Sequence, residues 1–201
     1  MNYLAHSYLT FSDGQIVGQF LEDFIPNRDR FSFPPEITEG ILLHRHIDTF
    51  TDAHPEIREA KKVFSPLVRL YAGAFVDVSL DYFLANMLSE KDLQNHARRV
   101  YRALGTHEDL LPEKLKMMCQ RMEKDDWLYN YSSDRGIRFS FQNVLNKAKY
   151  LDAQLPVFEL FQQNKPLLQA HFNIFFPDLM AYCAQINADF KSFEKGSGPD
   201  N

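Results

Sequence analysis

Apolar residues recur at spacings of three and four along almost the whole chain, a pattern that one face of a helix produces and a strand does not. The spacing predicts helices over about 2–10, 14–27, 35–50, 55–64, 70–88, 90–104, 112–130, 134–150 and 165–190. Start signals agree with it. Proline stands in the first turn of "FPPEI" and of "HPEIREA", and Ser89 precedes Asp92 in "SEKD", a variant of the capping box. Pro177 lies inside the last helical pattern and predicts a kink or break there. Phenylalanine is abundant, at 18 residues, and glycine sparse, at 8, a balance suited to long, well-packed helices. The expected fold is all-α, a compact multi-helix bundle formed as one domain over residues 1–192. A polar, Gly- and Pro-bearing tail is expected over 193–201.

Several common function classes are excluded early. The formal net charge is −5, so no overall basic field recruits nucleic acid. There is no P-loop, no GxGxxG turn and no zinc-finger spacing. Cys119 and Cys183 stand far apart without a CxxC pair, as expected for reduced thiols. The opening "MNYLAHSYLT" has neither a basic start nor a long apolar run, so no signal peptide is expected. No stretch reads as a bilayer span, and the chain is expected in the cytoplasm without a membrane. Oligomeric state is not legible.

The informative residues are the charges on the wrong side. In "EGILLHRHIDTFTD", at about 100° per residue, His44 and Asp48 fall about 40° apart within the apolar stripe. Arg45 flanks that stripe and His46 points away. In "FVDVSLDYFLANML", Asp77 and Asp81 share a face with Leu84 and Leu88. Asp23 sits between Ile16 and Phe20 on its helix face, and His6 shares a face with Tyr3 and Leu9. A carboxylate taken unpaired into a core costs several kcal/mol, so such groups find partners or a metal. Inward acids and imidazoles on several helices therefore suggest one shared metal or acid/base centre. Carboxylates with one or two imidazoles suit Mn²⁺, Fe²⁺, Zn²⁺ or Mg²⁺. A plainer arrangement is open for each residue alone: Asp48 paired with Arg45, His44 donating to a carbonyl, His6 satisfied in a core, Asp52 capping the next helix.

"MNYLAHSYLT", "VGQFLEDF", "FPPEITEGILLHRHIDTFTD", "VDVSLDYFLA", "FQNVLNKA" and "FFPDLMAY" resemble, in order and spacing, the acyl carrier protein phosphodiesterase family, a divergent branch of the HD phosphatase/phosphodiesterase superfamily. "GILLHRHIDTFTD" with its upstream "PPEI" is the specific part. The resemblance implies a divergent HD-like helical fold and a divalent metal, most often manganese. It also implies hydrolysis of the phosphodiester joining 4′-phosphopantetheine to a serine of holo-acyl carrier protein. His44 and Asp48 match the family's HRxxD motif, Asp23 and Asp77 its two other acidic motifs, and His6 the histidine of its opening. The chain departs where the family commonly reads "DHFLA": Tyr82 replaces that histidine.

On this reading Asp23, His44, Asp48 and Asp77 form the metal shell. Asp81 orients a ligand or holds the attacking water, Arg45 offsets phosphate charge, and His6 completes the shell or protonates the leaving oxygen. Acyl carrier proteins are strongly acidic, so a basic dock is expected, with Arg28, Arg30, Arg58, Lys61, Lys62, Arg98, Arg99 and Arg102 as candidates. Two other readings are open. One is an HD-like hydrolase of nucleotides or other small phosphoesters. The other is a non-catalytic helical module that binds the carrier, a possibility that rests on Tyr82.

Overall fold

The structure is a computed structural model that describes residues 2–196, with side chains described to 192. Every regular element among them is helical. In chain order these are α1 (Tyr3–Tyr8), α2 (Asp13–Leu21), α3 (Pro35–Ala53), α4 (Pro55–Val68), α5 (Ala72–Met87), α6 (Glu90–Thr106), α7 (Glu113–Lys124), α8 (Trp127–Asn130), α9 (Asp134–Lys147) and α10 (Val157–Gly196). The starts are chemically marked. Asn2, Ser12, Ser89 and Ser133 each accept a backbone N–H of the first turn of α1, α2, α6 and α9. Prolines open α3 and α4.

Four expectations change. The helix read over 112–130 is two, because Asp126 adopts a left-handed φ of 45°. Tyr101 holds that break: its hydroxyl donates to Asp126 and accepts the N–H of Leu128. Helix α10 runs unbroken through Pro166 and Pro177. Both prolines are exposed, as is Asn173, whose carbonyl Pro177 leaves without its helical donor. Water can take that bond, while Phe175, Phe176 and Leu179 stay buried on the inner face. Each such burial contributes about 1.5–3 kcal/mol, against about 3 kcal/mol for an interior proline. Finally, one described stretch, Pro55–Met87, is long and apolar enough to cross a membrane. It is α4 and α5 joined through Arg69, whose left-handed φ of 52° ends α4, and α5 packs against α1, α4, α9 and α10. Of the span read as a tail, α10 extends through Gly196, and 197–201 lie outside the described residues.

One hydrophobic core cluster runs from Leu4 to Cys183. Its centre is aromatic: Phe64, Phe75, Phe141 and Phe161 from α4, α5, α9 and α10 meet at 5.5–6.1 Å, Phe64 stacked on Phe75 and the other pairs edge to face or tilted. This block fixes α5 and α10, and α3 packs between α2 and α10. The thiols of Cys119 and Cys183 are free, and burial pushes both up to about 12, leaving them poor nucleophiles.

Candidate metal centre

The site begins with two glycines. A Cβ added at Gly18 of α2 would stand 2.2 Å from the carbonyl oxygen of Ile37, and one at Gly40 of α3 would stand 2.3 Å from that of Gln15. The two backbones therefore touch, which a side chain at either position would prevent. That approach sets Gln19 against His44. The backbone oxygen of Gln19 accepts from Nδ1 of His44 at 2.8 Å, and its side-chain Oε1 accepts from Nδ1 of His6, also at 2.8 Å. One glutamine thus fixes both imidazoles and both tautomers.

His6 arrives from α1, which is itself anchored by Asp81 of α5. The wholly buried Asp81 carboxyl accepts the N–H groups of Leu4 at 2.9 Å, Ala5 at 3.1 Å and Asn2 at 3.4 Å. Burial pushes this carboxyl up to about 7, against the pull of those donors. The sequence suggested that Asp81 orients a ligand or acts as the base. Its oxygens are instead spent on the first turn of α1, and it does not line the pocket.

With Nδ1 protonated, a neutral ring carries its lone pair on Nε2, and both Nε2 atoms face the same carboxylate. Asp48 Oδ1 lies 3.3 Å from His6 Nε2 and Oδ2 lies 3.3 Å from His44 Nε2. Asp23 Oδ1 is 3.9 Å from His44 Nε2. The two rings stack with centroids 4.1 Å apart. Lone pairs directed at carboxylate oxygens repel unless a cation, a proton or a metal ion, lies between them. Two orphaned polar atoms mark the same spot: Nε2 of Gln19 and Oγ1 of Thr51 are buried without a hydrogen-bond partner. The donor atoms of His6, His44 and Asp48 form one tight group, and those of Glu22, Asp23 and His44 a second. Two imidazoles with hard carboxylate oxygens are a donor set that a divalent ion fits.

The proton equilibria agree. Burial, then the neighbouring His44, hold His6 below the ordinary histidine range. Burial also acts downward on His44, but Asp48 outweighs it and raises that ring. Burial would raise Asp48, but the two imidazoles that face it, His44 first, overcome burial and hold the carboxyl well below the usual carboxylate range. The stacked pair therefore accommodates one positive charge, beside Asp48.

The cluster opens into a pocket of about 240 Å³ lined also by Asn2, Tyr3, Phe20, Asp52 and Asp77. Of the residues picked out in the sequence, His6, Asp23, His44 and Asp48 converge. Asp77 lines the same pocket from α5 but belongs to neither tight donor group. Arg45 does not line the pocket. Its guanidinium donates to Glu22 and Asn27, which pins the turn that carries Asp23. Asp52 does not cap α4, since His54 accepts the Glu56 N–H there, and Asp52 pairs with Lys61 at 2.9 Å. Gln19 was missed. A signal existed: Gln15 and Gln19 sit one turn apart among the apolar residues of α2, and both are buried.

Tyr82 faces elsewhere. It is buried on the α10 side against Phe83 and Phe161, with the Lys165 ammonium donating to its hydroxyl and lying 4.4 Å from the ring centroid. Tyr82→Phe should therefore leave kcat/KM within about twofold while lowering stability by about 1 kcal/mol, checked by steady-state kinetics beside urea unfolding. A tenfold loss of kcat would overturn that assignment.

Fold and cluster together define a helical protein with a histidine–carboxylate centre compatible with a divalent metal ion. The model of the acyl carrier protein phosphodiesterase family matches residues 1–179. The chain belongs to that family, whose members hydrolyse phosphodiester bonds. Among its relatives, the acyl carrier protein phosphodiesterase of Yersinia enterocolitica is 28% identical over 90% of this chain and 96% of its own length. That of Salmonella agona is 28% identical over 92% of this chain and 98% of its own. No solved structure matches the chain.

Proposed function

We propose that the chain hydrolyses the phosphodiester between 4′-phosphopantetheine and a serine of holo-acyl carrier protein, releasing the arm and the apo-protein. A divalent cation, first of all Mn²⁺ with Mg²⁺, Fe²⁺ and Zn²⁺ as alternatives, is held by His6, Asp23, His44 and Asp48. Family membership and the names of the relatives support the substrate. The observation that carries the centre is the pair of Gln19-anchored imidazoles presenting both Nε2 atoms to one carboxylate. A cytoplasmic location follows from that substrate, and residues 1–192 act as one unit.

A bound divalent cation would supply positive charge to the phosphoryl oxygens and acidify water at the site. The chain's own residues prepare the rest. Gln19 holds both rings so that neither needs to reorganise when the phosphate arrives. The guanidinium of Arg45, through Glu22 and Asn27, keeps the turn bearing Asp23 in place. Asp77 lines the pocket within reach of an entering substrate, where a carboxylate can hold water or the serine oxygen.

Mass spectrometry of holo-carrier protein incubated with the chain and Mn²⁺ tests the reading. Loss of the arm mass is the expected result. An unchanged holo-protein, with nucleotide phosphoesters cleaved instead, would transfer the centre to the small-phosphoester reading.

A pH dependence follows from the geometry. The proton that Asp48 stabilises on His44 must leave before a metal binds. Below the raised His44 pKa the folded protein holds that proton, so Mn²⁺ affinity should fall by about tenfold per pH unit there and level off above it. Calorimetry in buffers of different ionisation enthalpy should show about one proton released per ion on the acid side. Affinity independent of pH between 5 and 8 would contradict the shared site.

A further inference from the structure

Beside the pocket lies a second, larger concavity of about 1300 Å³, formed by α7, α8 and α9. The two share Asn2, Tyr3 and Asp77, so the groove opens directly onto the candidate centre. Its charge is opposite to that of the whole chain, whose net charge is −5. Lys114, Arg121, Arg135, Arg138 and Lys147 line it, against only Asp77 and Asp125. Arg138 is committed to Glu159 and to the face of Phe158. Lys114, Arg121, Arg135 and Lys147 are exposed and enter no ion pair among the described residues. Between these cations stand two apolar side chains out in solvent, Met117 at 46% exposure and Phe139 at 55%.

We propose that this groove is where the carrier protein docks: its acidic face meets Lys114, Arg121, Arg135 and Lys147, and its apolar residues cover Met117 and Phe139. The proposal rests on the function given above and adds the surface that selects the substrate. Charge complementarity decides the occupant. A cluster of unpaired cations around a small apolar centre suits an acidic protein face, and it repels the same groove of a second copy of this chain, which a two-fold pairing through this face would bring against it. Continuity with the centre decides the register, because a serine ester on a partner seated here reaches the pocket at Asn2, Tyr3 and Asp77.

The basic residues favoured by the sequence do not have this position. Lys61 is paired with Asp52, Lys62 with Glu59 and Arg99 with Asp13, and none of Arg28, Arg30, Arg58, Arg98 or Arg102 lines the groove.

The test is the triple variant Lys114→Glu, Arg121→Glu, Arg135→Glu in the full chain loaded with Mn²⁺. Two readouts are needed: fluorescence anisotropy of labelled apo-carrier protein, and turnover of holo-carrier protein. The expected result is binding at least tenfold weaker and KM at least tenfold higher. Kcat should be unchanged, as should hydrolysis of a small chromogenic phosphodiester, and the salt dependence of binding should be flattened. Arg98→Glu, Arg102→Glu on α6 should bind as the wild type does. Equal binding by wild type and triple variant, with turnover intact, would overturn the groove and leave the proposed function standing. A wild type that binds the carrier but never releases the arm would overturn the function while leaving the surface in place.

Discussion

Asp48→Ala should abolish high-affinity Mn²⁺ binding and reduce kcat/KM for holo-carrier protein by about a thousandfold, roughly 4 kcal/mol of transition-state stabilisation. The reason lies in the arrangement of donors. Both oxygens of this carboxylate are used, one toward each imidazole at 3.3 Å, so a single truncation strips both tight contacts from the cluster. Remaining are two stacked rings whose Nε2 atoms have no anion between them, and Asp23 at 3.9 Å from one of them. The fold should tolerate the change. The Asp48 side chain is 50% exposed, and removing it leaves no cavity, so metal-free stability should shift by less than about 1 kcal/mol. His44 should lose the raised pKa that the carboxylate gives it. Electron paramagnetic resonance of Mn²⁺ titrations, imidazole titration by NMR and carrier turnover read the three effects separately. An Asp48→Ala protein that binds Mn²⁺ as tightly as wild type would remove this centre from the mechanism.

The helical class and most helix positions were readable because local signals and long-range packing agreed: capping serines, first-turn prolines and a three-four apolar spacing all describe the same elements. The misreadings have tertiary causes. The break at Asp126 depends on Tyr101 from α6, and no local pattern encodes a hydroxyl arriving from another helix. Pro177 is tolerated because its outward face is wet and its inward neighbours are buried, a balance of two surfaces that a linear rule cannot weigh. In the site, the polar groups read within apolar stripes, His6, His44 and Asp48, do lie together, the two imidazoles buried and the carboxylate half exposed at the pocket. Helical position could not distinguish a ligand from a support. By helical position Asp81 and Asp77 aim to the same side, yet Asp81 is wholly buried and spent on backbone N–H groups of α1 while the half-buried Asp77 lines the pocket. Gln19 escaped notice because a neutral amide carries no charge to betray it, although it contacts both imidazoles.

The close approach of α2 and α3 gives the second large effect. Gly40→Ala forces a methyl group to within 2.3 Å of the Gln15 carbonyl oxygen, and Gly18→Ala does the same at 2.2 Å from that of Ile37. Both obstacles are backbone, so relief requires the helices to separate rather than a rotamer to change. Overpacking of this kind costs on the order of 1–3 kcal/mol, which for either variant should appear as a clear drop in the urea midpoint. The consequence for the site is more specific. Gln19 lies next to Gly18 and His44 lies one turn beyond Gly40. Separating the helices lengthens the 2.8 Å bond from His44 to the Gln19 carbonyl and frees that ring to rotate. Mn²⁺ affinity should therefore fall by about tenfold or more even at temperatures where the variant is fully folded, a scale typical of lost ligand-orienting contacts. Gly105→Ala is the control. That glycine ends no close contact, with nothing within 4 Å of an added Cβ, and in α6 the change should stabilise by about 0.5–1 kcal/mol without touching metal affinity. If Gly40→Ala bound Mn²⁺ as well as Gly105→Ala does, the imidazoles would not owe their aim to the contact between these two helices.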